Sequence, residues 1–63
     1  MAIPPREICA YDPEAKKYVI FELAGEHGPY WVYESTETGY HLLIPKGEVW
    51  RFTDFRLCEE RGE

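Results

Sequence analysis

The sequence predicts an all-β domain of about five short antiparallel strands in a meander. Aromatic and apolar residues recur in short runs with a period of two, and turn residues separate the runs at roughly 8–12-residue intervals. Ten of the 63 residues are Phe, Trp or Tyr, which are residue types enriched in strands. We expect the sheet to form a small SH3-like barrel or a strongly bent sheet.

Five runs predict the five strands: 7–11, 16–24, 30–34, 40–44 and 48–53. Asp12 and Pro13 open a type I turn between the first two. The segment 25–29 ends the second strand, and the polar segment 35–39 joins the third to the fourth. Pro45, Lys46 and Gly47 form the last turn. Gly39 can supply a positive φ at the end of the connection 35–39.

The two ends of the chain are less regular. Residues 1–6 predict an extended lead-in because Pro4 and Pro5 disfavour a helix. We expect one domain that spans residues 1–63. Residues 59–63 are predicted to form its charged, frayed tail. Asp54 is a candidate cap for a short helix over 55–61. However, Glu59 and Glu60 would lie at the negative end of its dipole, so we favour irregular or extended structure through Leu57.

The turn lengths predict which side chains share a face of the sheet. If Lys46–Gly47 is a two-residue hairpin loop, Leu43 faces Trp50, and across 35–39 Glu34 faces Tyr40. The predicted core face is then large and apolar, and we expect the second strand to add three members to it. It consists of Trp31, Tyr33, His41, Leu43, Trp50 and Phe52, together with Val19, Phe21 and Leu23.

The opposite face mixes apolar residues with Glu34 and Arg51, whereas a half-exposed strand ordinarily alternates apolar with polar residues. We therefore expect this face to be covered by the chain ends or open to a partner. Tyr and Arg are prominent among residues that dominate binding energy at interfaces. The predicted partner-binding residues are Tyr30, Val32, Tyr40, Leu42 and Arg51.

The net charge of −5 argues against tight binding to a nucleic-acid backbone or to an anionic membrane surface. No apolar run approaches the roughly 20 residues of a membrane span. The first residues lack the apolar region of a signal peptide. We expect a cytoplasmic protein.

The cysteines and the residues missing from the sequence bear on its source. Cys9 and Cys58 fit reduced thiols in the cytosol. The chain contains no Asn or Gln, has Met only at position 1, and has ten Glu, a composition typical of thermophiles. In a thermophile a Cys9–Cys58 disulfide becomes plausible, because hyperthermophiles retain intracellular disulfides. Both states stay open at this stage.

No catalytic, metal or cofactor site is predicted. Cys9, His27, His41 and Cys58 are isolated along the chain, whereas structural zinc ligands are usually paired in sequence. Ser35 lacks the flanking residues of a nucleophile elbow. The Gly25–Gly28 GxxG lies between strands rather than between helices. No small-molecule substrate is evident.

The functional hypothesis is a small acidic protein-interaction module without catalytic activity, acting as an accessory subunit, a regulator or a self-associating domain. The alternative is single-stranded nucleic-acid binding by stacking on Tyr30 and Tyr40 beside Arg51, although the chain lacks a basic groove. A third hypothesis, mimicry of DNA by the acidic surface, is weakened by the seven interspersed Lys and Arg residues.

Overall fold

A computed structural model describes residues 3–60 and contains four antiparallel strands. They follow one another in space as they do in sequence, which makes a meander, and the sheet curls into a half-barrel. The all-β class and the meander are confirmed. The elements are β1 (Glu7–Asp12), β2 (Lys17–His27), β3 (Tyr30–Ser35), β4 (His41–Pro45), a 3₁₀ helix (Val49–Phe52) and α1 (Arg56–Glu60).

The β2 strand runs further than the sequence predicts. The register between β2 and β3 shifts at Ala24, between Leu23 and Gly25, and the ladder then continues to His27. A bulge of this kind absorbs one residue and lets a strand bend without ending. Only Gly28 and Pro29 remain for the turn, and Gly28 has a φ of 58°, a conformation that glycine adopts without steric cost.

The core lies on the concave inner face of the sheet. The second strand contributes Val19 and Phe21, with Leu23 partly buried against them, as predicted. Tyr33 is fully buried at the centre, and its hydroxyl donates a 2.7 Å hydrogen bond to the Pro5 carbonyl. That bond ties Pro5, which precedes β1, to the sheet. The buried apolar cluster comprises Ile8, Ala10, Val19, Phe21, Tyr33, Ile44 and Val49.

The predicted register between β3 and β4 is wrong by one residue. Glu34 pairs with His41 rather than with Tyr40. The cause is Ser35, which we expected in the loop but which is the last residue of β3 and is buried. A one-residue shift exchanges the two faces of a strand. Leu42 and Ile44 therefore face the core, whereas His41 and Leu43 are exposed on the outer face.

The predicted fifth strand is also wrong, because residues 49–52 form a 3₁₀ helix. Two successive bonds of the i to i+3 type, from Glu48 N to Pro45 O and from Arg51 N to Glu48 O, wind the chain instead of extending it. Residues three apart share one side of a 3₁₀ helix. Val49 and Phe52 therefore reach the core, and Trp50 is 53% exposed, contrary to the predicted core position.

The segment after the 3₁₀ helix ends in α1, so the preference for extended structure through Leu57 is wrong. Asp54 Oδ1 accepts a 3.1 Å hydrogen bond from the Arg56 backbone N–H at the start of this helix. Glu59 and Glu60 belong to the helix, and the rest of the predicted tail, 61–63, lies outside the described residues. Cys58 forms a disulfide with Cys9 of β1, so of the two states that the sequence left open the structure has the bonded one.

Candidate interaction surface

The outer face of the sheet, opposite the core, is organised in rows that run across the strands. Cα pairing aligns Gly25 of β2, Val32 of β3 and Leu43 of β4 in one row. We call these three residues the apolar row. Leu43 is 46% exposed and Val32 is partly buried. On the next row outward, Tyr30 pairs with His27 and Pro45 and is 37% exposed.

An acidic row lies next to the apolar row. Glu7, Glu22 and Glu34 are successive Cα partners across β1, β2 and β3, and all three are exposed. Like charges directly opposite each other in a sheet are destabilising. Within residues 3–60 none of the three is in an ion pair. The fold therefore tolerates a negative strip on an open face.

A shallow, open depression of about 510 Å³ covers part of this face. Its lining includes Gly25 and His27 of β2, Val32 of β3, and His41 and Leu43 of β4. The Ala24 bulge and the absence of a side chain at Gly25 leave room between β2 and the side chains of β3. Such a depression suits a protruding side chain better than an enclosed small molecule, which is usually held in a concave cavity.

The structure separates the five predicted partner-binding residues. Tyr30 and Val32 lie on the outer face, as described above. Tyr40 and Leu42 lie on the inner side and pack against the core. Arg51 is exposed on the 3₁₀ helix, where its Nε is 2.8 Å from Glu48 Oε1. Tyr30, Tyr40 and Arg51 therefore do not form one stacking platform.

Sequence reasoning missed Leu43, which it placed in the core although its side chain is 46% exposed on the outer face. Its assignment depended on the β3–β4 register, and that register depends on Ser35 being inside the sheet. The polar run 35–38 reads as a loop and gives no local signal, because the Asp12 carboxylate that binds the Ser35 and Thr38 hydroxyls lies 23 or more residues earlier in the chain.

The other end of the half-barrel holds a buried polar cluster. Asp12 is fully buried, and its Oδ2 accepts hydrogen bonds from the hydroxyls of Ser35 and Thr38. Its Oδ1 accepts bonds from the backbone N–H groups of Glu14 and Ala15. Burial raises the pKa of Asp12, but these bonds together outweigh burial and lower the pKa from 3.8 to about 2.

The Ser35 hydroxyl is fully hydrogen-bonded within this cluster. Its Oγ donates to Asp12 and accepts from the backbone N–H groups of Glu37 and Thr38. No buried side-chain N or O atom within residues 3–60 lacks a hydrogen-bond partner. The cluster fastens the β1–β2 turn to the β3–β4 turn.

The histidines and cysteines do not assemble a metal centre in the described part of the chain. Cys9 and Cys58 are bonded to each other, and no three His, Cys, Asp or Glu side chains among residues 3–60 converge on one point. His27 and His41 border the depression from different strands.

No family model matches the chain, and no curated protein or solved structure is significantly similar to it. Between residues 3 and 60, no helix has the length and apolar character needed to cross a membrane.

Proposed function

We propose that this chain is a small interaction module without catalytic activity, and that its outer face docks a protein partner. The observation that carries the proposal is the position of the apolar row, with Leu43 exposed and Val32 partly buried, beside the acidic row. Protein interfaces combine an apolar centre with a polar rim. Here Val32 and Leu43 supply the centre, and Tyr30 extends it towards the β2–β3 turn.

The charge pattern defines the chemistry of the partner. Glu7, Glu22 and Glu34 face solvent in a line, and no Lys or Arg among residues 3–60 forms an ion pair with them. A complementary surface presents apolar side chains flanked by Lys or Arg. Charge complementarity mainly accelerates association and selects partners, so binding weakens as salt screens the charges.

A comparative pull-down tests this proposal. Wild type is compared with the double variant Val32→Thr/Leu43→Thr and with Trp50→Thr as a matched control. Trp50 is 53% exposed and Leu43 is 46% exposed, so both changes remove exposed apolar area, but the control does so away from the outer face. Near-UV circular dichroism establishes that each variant is folded.

If the proposal is right, wild type and Trp50→Thr both capture the same protein from a lysate of the source cells. The double variant fails to capture it. The proposal further predicts that capture declines with salt. Equal capture by the double variant, or no protein enriched by wild type over that variant, would overturn it. A cytoplasmic location and a thermophilic source remain predictions from composition.

Single-stranded nucleic-acid binding is a second candidate with one observation in its favour. Tyr11 and Tyr18 are exposed, their ring centroids are 5.5 Å apart, and Lys16 and Lys17 lie on the same hairpin. Bases stack on exposed aromatic rings. Anisotropy of a labelled oligonucleotide at about 50 mM salt tests it, because phosphate contacts are strongest at low salt. If the anisotropy is unchanged at this low salt concentration, single-stranded nucleic-acid binding is ruled out.

A further inference from the structure

The free edge of β4 carries backbone groups that point away from the sheet. Ser35 N donates to Tyr40 O, and Lys46 N donates to Pro29 O, at the two ends of the β3–β4 ladder. Bonded pairs alternate along an antiparallel ladder. Leu42 therefore turns its N–H and C=O towards β3, and its neighbours His41 and Leu43 turn theirs outward.

The outward groups of β4 have no partner in the described part of the chain. Apart from bonds within the strand ladders, no backbone hydrogen bond among residues 3–60 involves His41 or Leu43. Both residues are exposed. An uncovered edge of this kind is a template on which another strand can add.

The opposite edge, β1, is different because the chain passes around it. Val49 packs with Ile8 on the inner face, and Cys58 is bonded to Cys9 on the outer face. Residues 53–55 connect these two points. The β4 edge has no such strap, and its sequence, His-Leu-Leu-Ile-Pro, lacks the charged residues that commonly protect an edge.

We propose that two copies of this chain pair antiparallel through β4, with the two-fold axis passing between the two Leu42 residues. His41 of each copy then lies opposite Leu43 of the other. Each such pair exchanges two N–H···O bonds, so the four outward groups of each copy are all used. The result is one continuous sheet with an isologous interface.

This register satisfies more of the outward backbone N–H and C=O groups than the register shifted by one residue, in which the axis passes between the two Leu43 residues. Centring the axis on Leu43 would place His41 opposite Pro45, which has no N–H. It would leave the His41 carbonyl unpaired, and Pro45 O, which already accepts a 2.8 Å bond from Glu48 N, would have to accept a second bond from the His41 N–H. The Leu42-centred register has neither defect.

The β4 edge itself carries no acidic side chain, although the whole chain has a net charge of −5. No Asp, Glu, Lys or Arg lies within β4, so the two seam strands meet without opposed like charges, and N–H dipoles meet C=O dipoles. On the outer face Leu43 of each copy lies opposite His41 of the other and so extends the row that contains Glu34. The pairing uses the strand edge, and it stands whether or not the outer face binds another protein.

Cysteine cross-linking tests the register. In the proposed dimer the two residues at position 42 form a non-hydrogen-bonded pair, with Cα atoms about 4.5 Å apart, which is within disulfide reach. In this register the two residues at position 43 do not lie opposite each other. We expect Leu42→Cys to form a covalent dimer under mild oxidation and Leu43→Cys to form little. Peptide mapping verifies that the Cys9–Cys58 bond is retained.

The control is informative because Leu43 is the more exposed of the two residues. Random collision would cross-link Leu43→Cys faster than Leu42→Cys. That order of reactivity would overturn the register, even if some dimer formed.

Sedimentation of the unmodified protein supplies the second test. We expect a mass rising from 7.4 kDa towards twice that value as the chain concentration approaches about 1 mM, the weak end of specific association. Leu43→Lys, which adds an edge charge at an exposed position, is expected to remain monomeric. Val32→Thr, which alters the outer face one strand away, is expected to dimerise.

A folded wild type that stays monomeric throughout this range would overturn the proposal. The proposal would also fail if an unrelated extended peptide bound the β4 edge and the chain itself did not dimerise. A dimer that Leu43→Lys leaves intact would also overturn it. Loss of outer-face partner capture with the dimer retained would defeat the proposed function alone.

Discussion

The Asp12 carboxylate accepts a hydrogen bond from the Ser35 hydroxyl, 23 residues along the chain. These are the two buried polar residues in the described part of the protein. Their bond joins the turn after β1 to the turn after β3 at one end of the half-barrel. It also holds Ser35 inside β3, which fixes the register of β4 and thereby the residues exposed on the outer face.

Replacing Ser35 by alanine is expected to destabilise the fold by about 1–3 kcal/mol, the range for leaving a buried polar partner unsatisfied. The change removes the bond to Asp12 and the acceptor for two turn N–H groups. Urea unfolding measures the loss. Thr53→Ala is the control, because its hydroxyl makes an exposed bond to Trp50 O. Equal losses for both variants would contradict the role given to Ser35.

Stability is expected to fall in acid because of Asp12. Its pKa in the folded protein is about 2, below the ordinary 3.8, so protonation favours the unfolded chain. The contribution of Asp12 is fully present above pH 3.8 and is lost as the pH falls through about 2. The unfolding midpoint, measured between these values, is expected to drop more steeply for wild type than for Asp12→Asn.

Asp54 is the control for this acid dependence. Hydrogen bonds from Arg56 also lower its pKa to about 2, but the pair is exposed, and exposed ion pairs contribute little to stability. Asp54→Asn is therefore expected to retain most of the wild-type slope. A slope that disappears with Asp54→Asn and persists with Asp12→Asn would reverse the assignment.

The Cys9–Cys58 disulfide is expected to stabilise the fold by about 4 kcal/mol, because it closes a loop with a sequence separation of 49. Intact-mass analysis without reductant is expected to show a mass lower by two hydrogens than that of the reduced chain. Two free thiols in that experiment would contradict the bond. Thermal unfolding of the Cys9→Ala/Cys58→Ala variant measures its contribution.

Local chemistry was sufficient to predict the antiparallel meander, three of the strands to within a residue or two, and the core positions of Val19, Phe21 and Tyr33. The errors arise where a long-range contact decides. Ser35 is polar and reads as loop, but the buried carboxylate of Asp12 draws it into the sheet. Trp50 reads as core because it is large and apolar, whereas the 3₁₀ winding gives that place to Val49.

The candidate surface was predictable only in part for the same reason. Tyr30 and Val32 are on β3, whose outer face was assigned correctly. Tyr40, Leu42 and Leu43 changed faces together, because a strand has two faces and a shift of one residue exchanges them. The β2 bulge at Ala24, which opens the depression, depends on pairing with β3 and has no local signature.

Replacement of Gly28 is expected to be costly. Its φ of 58° is required for the two-residue turn between His27 and Tyr30, and an L-residue in this region costs about 1–2 kcal/mol. No atom lies within 4 Å of a Cβ built at Gly28, so the loss would come from the backbone and not from a clash.

Gly47 is the matched control, because it also has open space around an added Cβ but does not have a positive φ. Urea unfolding of Gly28→Ala and Gly47→Ala is expected to show the loss at position 28 alone. Gly28→Asn is expected to lose less than Gly28→Ala, because asparagine tolerates left-handed backbone conformations better than alanine does. If the two alanine variants were equally stable, the turn would not depend on the left-handed conformation at Gly28, and the hairpin that presents Tyr30 on the outer face would be held by its strand pairing alone.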